Sequence, residues 1–225
     1  MSDRIWFTSD EHFGHANIIQ FCNRPFKDTV EMQEALIDRH NEVVKAGDRV
    51  YHLGDMYWRS TSEEQALAIR YRLNGQHYYI YGNHDEVFHK SQRVRESFIW
   101  CKERFNLKVP GYPNIVLDHF AMETWNGSHK GAYQLFGHEH AARSMDVISG
   151  LKLEVGVDCW NYYPVSFETV TEILGRKAEA TVHKFWSCNN VECKHRFNAV
   201  DKEPKICAKC GSTMKLMSRF EEARP

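Results

Sequence analysis

The sequence predicts a layered α/β domain followed by a small cysteine-rich appendage. Three observations lead there. Short strand-like apolar runs alternate with segments of helical character, five of those runs end in polar clusters, and four of the seven cysteines crowd into residues 188 to 210. Strands alternating with helices imply stacked α/β layers rather than an all-β fold. A chain of 225 residues is long enough to bury one such core and carry an appendage.

The elements follow in order. Ile5 to Thr8 forms a strand that breaks at Ser9-Asp10. Asp28 and Glu31 stand at capping-box spacing and start a helix whose apolar face uses Met32, Ala35, Leu36 and Val43. "RVYHLGD" is a second strand. "STSEEQALAIRYRLNG" is a helix with Ser/Thr caps in front and Asn74-Gly75 at its stop. "HYYIYGNHD" is a third strand, and Ser91 to Phe105 reads as an amphipathic helix. "NIVLDHF", "AYQLFGHEH" and "LKLEVGVDCW" give three more strands. Composition changes near residues 176 to 184, which sets the expected boundaries: a main domain over 1–178, a cysteine segment over 181–215 and a tail over 216–225.

No apolar run is long enough to span a bilayer, and the first residues lack a basic stretch followed by an apolar core, so the expectation is a cytoplasmic protein with no membrane partner. Residues 181–225 hold nine Lys and Arg against five Asp and Glu, a formal +4. The net charge of −1 then leaves −5 for the rest, and a basic tail on an acidic body hints at an anionic partner for the tail. Seven unevenly spaced cysteines do not make a secreted disulfide framework.

The chemistry gathers at the ends of the apolar runs "IWFTSDEH", "VYHLGD", "YYIYGNHD", "IVLDHF" and "YQLFGHEH". In open α/β sheets ligands bind beyond the carboxyl ends of the strands. Five such ends bring Asp10, His12, Asp55, Asn83, His84, His119, His138 and His140 toward one cavity. A single buried histidine is usually a satisfied core residue; the set of five placements is what points to a site.

In order, the chain carries Asp10-Glu11-His12, Gly54-Asp55, Gly82-Asn83-His84-Asp85, His119 and Gly137-His138-Glu139-His140. This succession closely resembles the calcineurin-like metallophosphoesterase superfamily over roughly residues 4 to 170. The resemblance implies a layered β-sandwich flanked by helices, and two metals bridged by Asp55. Asp10, His12 and His140 would complete one site, and Asn83, His119 and His138 the other. His84 would stand beside the metals, facing the leaving group of a phosphomonoester or phosphodiester, and Asp85 would orient it. Two carboxylates against two divalent ions leave a site attractive to phosphate, and a metal pair can supply a hydroxide nucleophile at neutral pH. The mixed N/O donor set suits Mn, Fe, Zn or Ni without choosing among them. Relatives that dephosphorylate proteins read G-D-x-V-D-R-G where this chain reads "GDMYWRS", which disfavours a protein substrate.

Nearby residues carry two readings each. Asp48 precedes its apolar run, unlike Asp55, and reads as a turn residue. Strand alternation points Asp118 away from the face of His119. Arg24 suits either a substrate phosphate or a loop anchor. His15 is a further candidate, His52 reads as packed in the core, and His129 lies in a loop that could overhang the site.

Cys188, Cys193, Cys207 and Cys210 are spaced C-x4-C, thirteen residues, C-x2-C, which matches a tetrahedral structural Zn in a zinc ribbon. So short a segment needs the metal to fold. His195 could stand in for a cysteine, though four sulfurs already satisfy the ion. Phe185, Trp186 and Phe197 among Lys184, Lys194 and Arg196 would suit nucleic acid, or would form the ribbon's own small core. The expected function is dinuclear-metal phosphoester hydrolysis on a nucleotide or nucleic-acid related substrate. The alternative is a nucleic-acid-binding module on a phosphoesterase scaffold.

Overall fold

A computed structural model of the chain describes residues 4–142, 150–180, 184–188, 190, 192–193, 196–198, 206–207, 209–210 and 212–218, with backbone only at 180, 184–188, 196–198 and 215–218. Residues 1–174 and 175–225 form separate compact units.

The first unit runs β1 (Ile5–Thr8), α1 (Ala16–Phe21), α2 (Thr29–Val43), β2 (Arg49–His52), α3 (Glu63–Arg70), β3 (Gln76–Ile80), α4 (Glu86–Lys90), α5 (Gln92–Glu96), β4 (Trp100–Lys102), β5 (Phe105–Leu107), β6 (Ile115–Leu117), β7 (Tyr133–Phe136), β8 (Lys152–Glu154), β9 (Val165–Ser166) and α6 (Phe167–Ala180), the last crossing the boundary. One sheet has the order β4-β3-β2-β1-β9 and the other β5-β6-β7-β8. Strands β1 to β4 are mutually parallel, as are β6 to β8; β9 and β5 pair antiparallel at the edges.

Alternation explains the layers. Ile5, Phe7, Tyr51, Leu53 and Ile80 face Leu107, Ile115, Leu117, Leu135 and Leu153 in a core shared by both sheets, joined by Phe167, Val170 and Leu174. On the other face Tyr79 meets Phe13, Met32, Leu36 and Leu67 beneath α2 and α3. A parallel sheet covered on both faces reads as continuous apolar runs, as these strands do. The helices begin where the caps predicted: the Asp28 carboxylate accepts from Val30 N and Glu31 N, and Ser62 with Gln65 closes a capping box. Ile37 and His40 are buried on α2 beyond the expected face.

The helix expected over Ser91 to Phe105 stops at Glu96. Trp100–Lys102 pairs in parallel with β3 instead, placing Trp100 against Tyr78 at 5.2 Å between ring centroids. Bulky aromatic side chains gain more on a pleated, half-buried surface than on a helix, and here the sheet edge was available.

The second unit contains the antiparallel sheet β11-β10-β12, from β10 (Lys184–Cys188), β11 (Arg196–Asn198) and β12 (Met214–Ser218). Its described sulfur atoms Cys193 Sγ, Cys207 Sγ and Cys210 Sγ lie within 4.8 Å of one another, a group of a kind that can hold a zinc ion. The Cys188 side chain, His195, and the side chains of Phe185, Trp186 and Phe197 lie outside the described residues.

Candidate metal centre

Because β1, β2 and β3 are parallel, their carboxyl ends deliver Asp10 and His12, Asp55, and Asn83 to Asp85 to one edge. The second sheet adds His119 after β6 and His138 and His140 after β7. Five of these residues, Asp10, His12, Asp55, His138 and His140, adopt positive φ between 49° and 73°. That region is sparsely populated by non-glycine residues and costs of order 1–3 kcal/mol each, strain that clusters at functional sites. Close approach does the rest. A Cβ on Gly82 would overlap the Asp55 carboxylate, and one on Gly54, at φ +96°, would lie 2.6 Å from His119 Nδ1.

Two donor groups result. Asp10, His12 and His140 offer atoms within 4.8 Å of one another, as do Asp55, His119 and His138. Asp55 Oδ2 faces both, 3.8 Å from His12 Nε2 and 3.5 Å from His119 Nε2, while Asn83 Oδ1 lies 3.1 Å from His119 Nε2. The ring orientations are imposed from behind. His119 Nδ1 is bonded to Leu53 O at 2.7 Å and His140 Nδ1 to the Asp158 carboxylate at 2.9 Å, so each turns Nε2 toward the carboxylates.

The electrostatics fit cations. Burial opposes charge on His119 and His140, yet the bond to Asp55 and the bond to Asp158, with Asp10 near both, raise them to about 9 and about 10. Burial likewise pushes Asp55 up, but His119 and the His84 backbone N–H outweigh it and hold the group at about 2. Asp10 is raised, chiefly by burial. Both ring nitrogens of His12 are buried with no hydrogen-bond partner. Orphaned imidazole nitrogens are rare unless something else occupies the lone pair, and here His12 Nε2 faces Asp55 Oδ2 at 3.8 Å, beyond hydrogen-bond distance, so the residues present fit a pair of divalent ions.

Other expectations are resolved by contacts. Arg24 is a loop anchor: it grips Asp158 through Nε at 2.8 Å and Nη2 at 2.7 Å and donates to Asp10 O and Glu11 O. Its guanidinium is buried and fully engaged, so it is not offered to a substrate. Asp48 accepts from Arg4 N, Trp6 Nε1 and Lys45 N, and Asp118 from Arg104 Nε and Phe120 N. His52 is bonded to Glu11 and His77, and His15 stacks on Trp58 at 3.4 Å between centroids. His129 is exposed on the turn Ser128–Lys130.

The expected role of Asp85 needs correction. Its carboxylate accepts from Tyr79 OH at 2.7 Å, Gly82 N at 2.5 Å and Asp55 N at 3.3 Å, so it braces the two loops that carry Asp55 and Asn83. Burial raises it to about 7. The side chain bonded to the His84 ring is Arg59, whose Nη2 lies 3.1 Å from His84 Nδ1. Arg59 and Asp158 were missed from sequence. Asp158 did leave a signal: "LKLEVGVD" is a sixth apolar run ending in a carboxylate.

A sandwich of two mixed sheets, with two Asp/His groups facing one shared carboxylate at the strand ends, defines the class of metal-dependent phosphoesterases. The chain belongs to the calcineurin-like phosphoesterase family, whose profile matches residues 3–148. It is 34% identical over 176 residues to an uncharacterized protein of Methanocaldococcus jannaschii, covering 76% of this chain and 91% of that one. It is 26% identical over 181 residues to the gene 66 protein of Mycobacterium phage D29, covering 70% and 89%. A protein of unknown function from Aquifex aeolicus shares the fold, with a TM-score of 0.59 and 21% identity over 76% of this chain and all of that one.

Proposed function

We propose that the chain hydrolyses a phosphomonoester or phosphodiester, related to nucleotides or nucleic acid, with two divalent ions drawn from Mn, Fe, Zn or Ni. Asp10, His12 and His140 would hold one ion, Asn83, His119 and His138 the other, and Asp55 both. When bound, such a pair supplies an activated water and neutralises phosphoryl oxygens. The observation that carries this reading is the position of Asp55 Oδ2 between His12 Nε2 and His119 Nε2, at 3.8 and 3.5 Å. Around it Arg24 and Asp158 fix the ring of His140, Leu53 O fixes that of His119, and Asp85 braces the two loops. His84, a quarter exposed and 4.0 Å from Asp55 Oδ2, is the ring at the mouth of the site that meets the substrate.

The test is turnover of p-nitrophenyl phosphate and bis(p-nitrophenyl) phosphate with added Mn or Zn, followed by a screen of nucleotides, cyclic nucleotides and RNA or DNA ends. Hydrolysis that needs metal and vanishes in Asp55→Asn supports the enzyme. Absence of turnover at every metal, with nucleic acid still bound, would favour the scaffold reading.

The same proposal assigns one structural Zn to Cys188, Cys193, Cys207 and Cys210. In support, Cys193 Sγ and Cys207 Sγ lie 3.8 Å apart, and thiolate-rich sites select Zn. Elemental analysis of a chain truncated after Glu179 should show one Zn fewer; unchanged zinc would remove the site. Whether the ribbon presents nucleic acid is read from the same truncation, by comparing its activity on a nucleic-acid end and on a small chromogenic ester.

A further inference from the structure

This inference deepens the phosphoesterase reading and rests on it. His140 belongs to two groups of donor atoms. With Asp10 and His12 it forms one half of the metal centre. With Cys22 and Asp158 it forms a second group, whose sulfur, nitrogen and oxygen also lie within 4.8 Å of one another. Asp158 Oδ2 meets His140 Nδ1 at 2.9 Å, while Asp10 Oδ1 lies 3.8 Å from the other ring nitrogen, Nε2.

The local chain builds this second group. Cys22 caps the end of α1, with its N–H on Ile18 O at 2.9 Å. Asn23, at φ 49°, turns the chain, and Arg24 then grips Asp158 at 2.7 Å. One turn therefore delivers a sulfur and fastens the carboxylate beside it. A half-buried cysteine at the margin of a core is ordinarily a packing residue, and Cys22 does touch the core beneath α2 and α3. Packing alone does not call for two further donors within ligand reach. The other isolated cysteines, Cys101 and Cys159, stand in no such group among the described residues.

The two groups differ in softness. The first offers imidazole and carboxylate and faces Asp55 as well, a set that suits Mn as readily as Zn. The second brings a sulfur, and Arg24 already offsets the charge of Asp158. An ion is held there only if it gains from sulfur, as Zn and Cd do and Mn does not. The groups share one imidazole, and two dications on one ring, beside a buried guanidinium, repel strongly in so dry a place.

We propose that Cys22, His140 and Asp158 form a second, soft ion site that takes Zn in competition with the metal centre. An ion there draws His140 away from Asp10 and His12 and leaves that half of the centre one ligand short. Excess Zn then inhibits the hydrolysis that Mn supports, and Cys22 is the residue that makes the centre discriminate between the two.

The primary test reads Cys22 itself. Iodoacetamide labelling of the full-length protein, followed by mass spectrometry of the Cys22 peptide, measures access to that one thiol. Excess Zn or Cd should slow its labelling about 10-fold or more, and Mn should not, with Cys101 as the internal control. Equal labelling with and without Zn would remove the site. Protection by Mn as great as by Zn would show that the metal pair merely shields the thiol, and would overturn the soft site. Saturating Mn should reduce the protection given by Zn; protection that Mn leaves untouched would refute the competition.

Kinetics supply the second arm. In turnover supported by Mn, added Zn should inhibit the wild-type protein at about 10-fold lower concentration than it inhibits Cys22→Ser or Cys22→Ala, with the rates in Mn alone unchanged. Equal inhibition of all three would place the inhibitory Zn elsewhere and defeat the proposal. Lack of any turnover by the wild-type protein would defeat the phosphoesterase reading, while the labelling, which needs neither turnover nor a variant, would still decide the site.

Discussion

In the row formed by His40, His52 and His77, every ring nitrogen of His52 and His77 is bonded to another protein group. Glu11 Oε1 meets His52 Nδ1 at 3.1 Å, His52 Nε2 meets His77 Nδ1 at 2.8 Å, and His77 Nε2 meets Asn74 O at 3.0 Å. His40 Nε2 joins the same carbonyl at 2.9 Å. Around Asp55 the pattern differs: His12 has no hydrogen-bond partner at either nitrogen, His140 is anchored through Nδ1 with Nε2 3.8 Å from Asp10 Oδ1, and His119 is anchored through Nδ1 with Nε2 3.1 Å from Asn83 Oδ1 and 3.5 Å from Asp55 Oδ2. Burial is similar, since His12, His52, His77 and His119 are all at most 1% exposed. What separates a structural histidine from a candidate ligand is therefore what its second nitrogen meets. In the row it meets another core histidine or a backbone carbonyl; around Asp55 it meets other candidate ligand side chains or, in His12, no hydrogen-bond partner.

The comparison can be broken at its centre. Asp55→Asn removes the charge that both candidate ion positions share. It should cost more than the 10–100-fold in metal affinity typical of groups one shell further out, and abolish turnover, as measured by calorimetric titration with Mn or Zn and by ester hydrolysis. Full occupancy in that variant would show that Asp55 is no bridge. Asp158→Asn tests the layer behind. It weakens the grip on His140 Nδ1 and should lower affinity for one of the two ions by about 10–100-fold, leaving the other titration step in place. Equal loss of both steps would mean that Asp158 supports the whole edge.

The structural histidines should respond to pH and to packing instead. Burial depresses His40 from 6.5 to about 4. The unfolded chain then binds a proton that the folded chain refuses. Stability is whole above about pH 6.5 and falls as pH drops toward 4, by up to roughly 3 kcal/mol from this group. His40→Gln should flatten that acid limb in denaturation curves collected on metal-free protein; an unchanged limb would assign the acid sensitivity elsewhere. Smallest of all, His77→Leu strands the Nε2 of His52 and should cost about 1–3 kcal/mol in unfolding free energy with metal content intact. A loss of bound metal there would tie the two histidine sets together.

The order of motifs made most of the site legible. Asp10, His12, Asp55, His119, His138 and His140 stand at the ends of apolar runs, and parallel strands bring their ends to one edge, so local pattern implied a common cavity. The groups behind the cavity were not legible in this way. Arg24 meets Asp158 across 134 positions, and Arg59 meets His84 across 25, pairings that no local spacing announces. Asp85 shows the converse failure: adjacency to His84 suggested a partnership, yet the turn sends its carboxylate to Tyr79 and to the backbone of Gly82 and Asp55.

By itself the sequence determined the alternation of strands and helices, the caps at Asp28 and Ser62, and the succession of donors that marks the family, because these depend on periodicity and neighbours a few residues apart. Only the tertiary structure decided that Trp100 would leave a helix for the edge of a sheet, that Arg24 would serve a loop rather than a substrate, and that His12, among the described histidines, keeps both ring nitrogens buried without a hydrogen-bond partner. Each of those outcomes turns on a contact between distant segments. Its energy does not exist until the chain has closed the loops that bring the partners together.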